Sequence, residues 1–125
     1  MDIKGLIKTV IDDFIGACLN FIYRFFPLKK KIVASAYVGR KYGDNPQYIL
    51  EKIHEMDPLV EIVWIKKRDY DYKVPEWIRC VTYENKVRVF YEYATAKVWL
   101  DSHHVNLRIK KRKNQLYLET WHGGL

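Results

Sequence analysis

Five short apolar runs, interleaved with segments of helical pattern, restrict the fold of this chain more than any other feature. The runs lie at residues 32–37, 60–66, 78–82, 98–100 and 115–119. Each is too short for a buried helix and suits a strand. Asn45-Pro46 opens a helix, with asparagine as cap and proline in the first turn. That helix runs to about Met56, turns Tyr48, Ile49 and Ile53 inward, and is broken by Asp57-Pro58. Residues 67–76, which include Pro75, read as a polar loop. Asn85 caps a second helix to about Ala96, with Val87, Phe90, Tyr91 and Ala94 facing the core. Strands alternating with helices predict an α/β fold, a Rossmann-like parallel sheet with helical crossovers. Such crossovers are right-handed, and ligands gather beyond the carboxyl ends of the strands.

Three segments leave those ends: residues 39–45, residues 102–106 with His103 and His104, and residues 121–125. In the last, His122 stands just past a strand and precedes Gly123 and Gly124, which places an imidazole on the rim where such sheets do their chemistry. His103 and His104 are adjacent, so on a strand they would face opposite ways, and they suit loop or rim roles better than a shared metal. His54 is expected on an exposed helix face. Asp44 and Asn45 are candidate substrate-binding residues, although turn formation and helix capping account for the same pair. Arg40 and Tyr42 are candidates for contacting a phosphate, against the plainer reading of a solvated loop.

Ahead of the first strand, Ile3, Leu6, Ile7, Val10, Ile11, Phe14, Cys18, Phe21, Ile22 and Phe25 recur at helical spacing. They predict a long amphipathic helix ending before Pro27, with the basic flank Lys29-Lys30-Lys31 after it. Such a helix either packs on the core or lies in the plane of a membrane. Phenylalanines beside Arg24 and the lysine cluster favour the membrane, with Phe21, Phe25, Lys29, Lys30 and Lys31 as contacts. No apolar run approaches the ~20 residues of a membrane span.

The net charge of +7 favours acidic partners. Nucleic acid is disfavoured, because no recognition-helix or RNP-type pattern is present. The two cysteines, Cys18 and Cys80, have no metal-ligand spacing and imply no disulfide framework. They are expected to be reduced, buried small hydrophobes, which fits a cytosolic compartment. No metal site and no cofactor is expected.

Several short motifs carry a resemblance. Tyr42-Gly43-Asp44-Asn45-Pro46 with Tyr48-Ile49 comes first, and Trp64-Ile65 then closes a strand. Ala94-Thr95-Ala96-Lys97-Val98-Trp99 enters the fourth strand. Lys110-Lys111-Arg112-Lys113 leads to Gln115-Leu116-Tyr117 and Thr120-Trp121-His122-Gly123. In this order they resemble the N-terminal half of the catalytic region of the CDP-glycerol glycerophosphotransferase family, which builds or primes teichoic acids.

The resemblance implies a GT-B-type architecture in which the first Rossmann-like domain serves the acceptor and a second grips CDP-glycerol. It implies transfer of glycerol phosphate to a lipid-linked teichoic acid acceptor, at the cytoplasmic face of the membrane and peripheral to it. It makes His122 the catalytic residue, consistent with the near-neutral pKa of imidazole. Gly123 and Gly124 would let backbone amides approach a phosphate. The family motif commonly has threonine where this chain has Gly124, so any hydroxyl contact from that position is lost. The expected division is an amphipathic helix with its basic flank at 1–30 and an acceptor-side domain at 31–125, truncated before the donor domain and inactive alone. Alternatives are a non-catalytic membrane-associated interaction module and half of an unrelated GT-B glycosyltransferase.

Overall fold

A computed structural model describes residues 2–35, 42, 44–101 and 109–119, with the backbone alone at 44 and 45. Its elements in chain order are α1 (Ile3–Tyr23), β1 (Lys29–Ser35), α2 (Asp44–Met56), β2 (Glu61–Lys66), β3 (Arg79–Thr82), α3 (Lys86–Thr95), β4 (Ala96–Asp101) and β5 (Leu116–Glu119). The five strands form one sheet in the order β3-β2-β1-β4-β5. Every neighbouring pair is parallel. The α/β, Rossmann-like expectation therefore holds.

Alternation along the strands divides the core. Val33, Val63, Ile65, Val81 and Trp99 face α3, where Val89, Phe90 and Tyr93 pack with Leu19 and Tyr23 of α1. Ile32, Ala34, Ile62, Trp64 and Leu100 face the other way, onto Leu50 of α2 and Ile78. This period of two, apolar on both faces, is what a sheet covered on both sides requires.

The helices keep their expected positions but not all their expected faces. Val87 is exposed and Tyr91 half-buried, whereas Val89, Glu92, Tyr93 and Thr95 are buried. The reason is that α3 is wedged between the sheet and α1, so two of its sides are covered rather than one stripe. On α2, Tyr48 is exposed and Leu50 takes the core position. His54 is half-buried rather than exposed, stacked on the Trp77 ring at 4.1 Å. Both cysteines are exposed, not buried. Cys18 lies on the uncovered side of α1, and Cys80 sits on edge strand β3, opposite in face to buried Val81.

Asp2 caps α1, its carboxylate accepting from the Lys4 amide at 3.1 Å. The helix unwinds at Arg24, and the Phe25 and Phe26 amides reach back to the carbonyls of Ile22 and Tyr23. Gly16 is its only buried residue among those described and meets Phe90 of α3. Most of its apolar surface, from Ile3 to Phe25, is exposed.

Candidate functional site

In the order β3-β2-β1-β4-β5, the chain leaves β1 through α2 on one face and reaches β4 from α3 on the other. The crevice between the carboxyl ends of β1 and β4 is therefore the topological switch point, where open parallel sheets place ligands. Ser35 and Asp101 are the last residues of these strands and are paired in register. Beside them, β5 brings Glu119 level with Asp101.

A compact polar cluster occupies this position. Ser35 Oγ donates to Asp101 Oδ1 at 2.6 Å, and Tyr93 Oη donates to the same oxygen at 3.1 Å. All three residues are buried. Burial pushes the Asp101 carboxyl up to about 7, aided by the neighbouring negative charge of Glu119 and opposed by the hydrogen bonds from Ser35 and Tyr93. Burial, with Asp101 alongside, also holds the Tyr93 phenol well above its usual range. The cluster thus places a carboxyl that takes up or releases a proton near neutral pH beneath the switch-point crevice.

The support below it is rigid. The chain passes from α3 to β4 with no loop, so the last carbonyls of α3 need outside donors. Buried Gln115 supplies them, its amide reaching the carbonyls of Tyr93 and Ala96 at 2.7 Å and of Ala94 at 3.2 Å. Trp99 Nε1 donates to the Tyr93 carbonyl at 2.6 Å.

Asp101→Asn tests the cluster, since the amide oxygen can still accept from Ser35 and Tyr93. The folded chain holds the Asp101 proton up to about 7, whereas an unfolded aspartate loses it near ~3.9. Stability contributed here is therefore lost as pH rises between those values and is level above them. The variant is expected to gain about 2–4 kcal/mol over the parent on going from pH 4 to pH 8, read from urea unfolding. Parallel pH profiles for the two proteins would exclude an acid form of Asp101.

The residues singled out from the sequence divide as follows. α2 begins at Asp44 and continues through Asn45, whose side chains lie outside the described residues. His122, Gly123 and Gly124 also lie outside them, as do Arg40, His103 and His104. β5 ends at Glu119, three residues before His122 in sequence. Tyr42 sets its ring edge against Trp64 at 4.8 Å and donates to Glu51 at 3.4 Å, while burial raises its phenol pKa.

Phe21 and Phe25 are 58% and 68% exposed, and the Arg24 guanidinium lies over both rings at 4.5 and 4.8 Å. The lysine cluster is not a flank but the start of β1. Lys29 donates to the Tyr91 hydroxyl and Lys30 pairs with Asp57, both at the surface. Lys31 corrects the expectation of a membrane contact. It is 2% exposed, and its ammonium is sealed against Glu92 and Thr95 by the inward turn of the strand. The Ser35–Tyr93–Asp101 cluster was not anticipated, and its one sequence signal is an aspartate closing the apolar run Val98-Trp99-Leu100. Among the described residues no group of three His, Cys, Asp or Glu side chains suits a metal ion, and no helix is long and apolar enough to cross a membrane.

Comparison with known proteins places this geometry. The family described as CDP-Glycerol:Poly(glycerophosphate) glycerophosphotransferase matches residues 18–124. A teichoic acid poly(glycerol phosphate) polymerase of Staphylococcus epidermidis is 31% identical over 94 residues, 75% of this chain and 13% of that protein. A teichoic acid glycerol-phosphate transferase of Staphylococcus aureus is 27% identical over 123 residues, 97% of this chain and 31% of that protein. The solved wall teichoic acid polymerase TagF superposes with a TM-score of 0.74 at 25% identity, covering 98% of this chain and 32% of that one. The chain thus spans between about an eighth and a third of these relatives' length.

Proposed function

We propose, from the premise that the chain belongs to the CDP-glycerol:poly(glycerophosphate) glycerophosphotransferase family, that it forms the acceptor side of an enzyme transferring glycerol phosphate from CDP-glycerol to a teichoic acid acceptor. The observation that carries this reading is the family match over residues 18–124, on a sheet whose strand ends gather at one switch point. In this reading the fold is one half of a GT-B-type cleft. A donor-binding half grips the cytidine nucleotide, and this chain presents the acceptor hydroxyl.

The chemistry assigned to the chain is one proton transfer and the positioning around it. The acceptor oxygen attacks the phosphorus of the glycerol phosphate group, a new phosphodiester bond forms, and the bond to CMP breaks with its electron pair leaving on CMP. His122 takes the hydroxyl proton, a role suited to an imidazole near neutral pH. Gly123 and Gly124 allow backbone amides to approach the phosphate, and Asp44 and Asn45 at the start of α2 contact substrate. The exposed apolar side of α1, with Phe21, Phe25, Lys29 and Lys30, rests on an anionic membrane at its cytoplasmic face. Lys31, sealed in the core, takes no part in that contact.

The test compares the chain alone with the chain joined to the donor-binding region of a staphylococcal relative, each given CDP-glycerol and a lipid-linked glycerol phosphate acceptor. CMP release is expected from the joined protein and not from the chain alone. Release by the chain alone would overturn the division of labour. A folded joined protein that binds CDP-glycerol yet releases no CMP would overturn the acceptor-side assignment.

A further inference from the structure

We propose that the cleft between the C-terminal part of α1 and the basic segment leading into β5 holds one anionic phospholipid, its phosphodiester in the cleft and an acyl chain along α1. This rests on the membrane placement of α1 only in that a bilayer supplies the lipid.

The cleft has a volume of about 360 Å³, with Phe21 and Arg24 on one wall and Lys110, Lys111 and Arg112 on the other. Four cationic side chains thus border one space, and among the described residues no acidic one lines it. Among the described residues none of the four forms an ion pair with a carboxylate. Several cations elsewhere are neutralised, Lys30 by Asp57, Lys31 by Glu92, Arg79 by Glu61 and Glu92 and Arg88 by Glu92.

The walls are fixed. The Lys110 amide donates to Asn20 Oδ1 at 3.1 Å, fastening the basic segment to α1. Arg112 Nη1 donates to the carbonyls of Phe26 and Ala94 at 2.7 and 3.1 Å, and Lys111 Nζ to the Arg112 carbonyl at 3.1 Å. Arg24 is held over the Phe21 and Phe25 rings. A phosphate entering here meets charges already positioned, which lowers the ordering cost of binding.

The second half of the argument is the adjoining surface. A groove of about 290 Å³ on α1, lined by Phe14, Ala17, Cys18, Phe21 and Ile22, shares Ala17 and Phe21 with the basic cleft. It is almost wholly apolar in side-chain character. Cationic cup and apolar trough therefore adjoin at Ala17 and Phe21, the order in which a phospholipid carries its phosphate and its chain. A free phosphate would leave the trough in water, whereas an acyl chain gains by burying each of its methylenes there.

The whole chain is titrated with dihexanoyl-phosphatidylglycerol below its micellar concentration, with inorganic phosphate, and with phosphatidylcholine vesicles with and without phosphatidylglycerol. Lys110→Gln with Lys111→Gln is compared with Lys52→Gln with Lys73→Gln, an equal charge loss on exposed residues away from the cleft. One short-chain lipid is expected to bind per chain, weakened roughly tenfold or more by the first pair, about 1.4 kcal/mol or above, and unchanged by the second. Equal losses in both pairs, equally tight binding of inorganic phosphate, or no binding of the short-chain lipid would each overturn the proposal. If anionic vesicles still bind while the monomeric lipid does not, this site falls and the membrane reading stands. If the monomeric lipid binds and vesicles do not, the membrane reading falls and the site stands.

Discussion

Glu92→Gln is expected to destabilise the fold by about 3–5 kcal/mol, a large part of the ~5–15 kcal/mol that holds a domain of ordinary size together. Glu92 is completely buried on α3 and receives Lys31 Nζ at 2.7 Å, Arg79 Nη1 at 2.6 Å and Arg88 Nε at 2.9 Å. Burial alone would raise its carboxyl, but Arg79 and Lys31 outweigh burial and bring it to about 2. Burial draws the Lys31 ammonium below its usual range, with Glu92 opposing. The glutamine amide would present N–H groups to one of these cations and leave Lys31 in the core without its counter-charge. Arg79 and Arg88 are partly exposed and rehydrate, so the loss is concentrated on the Lys31–Glu92 contact.

The pH dependence follows from the lowered carboxyl. The Glu92 contribution is complete above about 4.5 and is lost as pH falls toward about 2. Urea midpoints of the parent should fall across that window, and those of Glu92→Gln should lack this share of the slope. Lys31→Met combined with Glu92→Leu is expected to recover part of the loss, because well-packed apolar residues replace a buried pair at little net cost. Recovery stays partial, since Arg88 loses its acceptor and Arg79 keeps only Glu61. A Glu92→Gln midpoint within the scatter of surface variants would show that the buried pair does not hold α3 to the sheet. The cluster joins the amino ends of β1, β2 and β3 through Lys31, Glu61 and Arg79, so the change leaves the carboxyl-end crevice untouched.

Strands and their direction were legible because they rest on local signals. Residues 32–34, 62–65 and 98–100 are apolar on consecutive positions, as strands covered on both faces must be, and Asn45-Pro46 and Asn85 mark helix starts. What was not legible depended on partners far away in sequence. Lys31 reads as the end of a basic flank until Glu92, Thr95 and Arg79 are brought beside it. The inward face of α3 cannot be chosen correctly without knowing that α1 covers its second side. Asp101 looks like an ordinary strand end, and its chemistry arises from register with Ser35 on β1 and from Tyr93 on α3. Gln115 likewise reads as the first residue of a strand, whereas the fold uses it to complete the end of α3.

His122→Ala, in the chain joined to a donor-binding half, is expected to lower kcat by about 10²–10⁴-fold, the usual worth of a positioned proton acceptor. KM for CDP-glycerol should change little if, as proposed, the other half grips the donor. Unfolding stability is read in parallel, so that a loss of rate is separated from a loss of fold. The pH profile decides which group owns the chemistry, because a histidine and the buried Asp101 carboxyl are both suited to proton transfer near neutral pH. An unperturbed imidazole loses its proton near ~6.5, and the Asp101 carboxyl does so at about 7. If His122 is the acceptor, the acid limb of kcat/KM disappears in His122→Ala and persists in Asp101→Asn. If Asp101 is the acceptor, the pattern reverses, and His122→Ala keeps both the limb and most of its rate. That reversal would move the base from the segment after β5 to the buried cluster between β1 and β4, which is held rigidly by Ser35 and Tyr93.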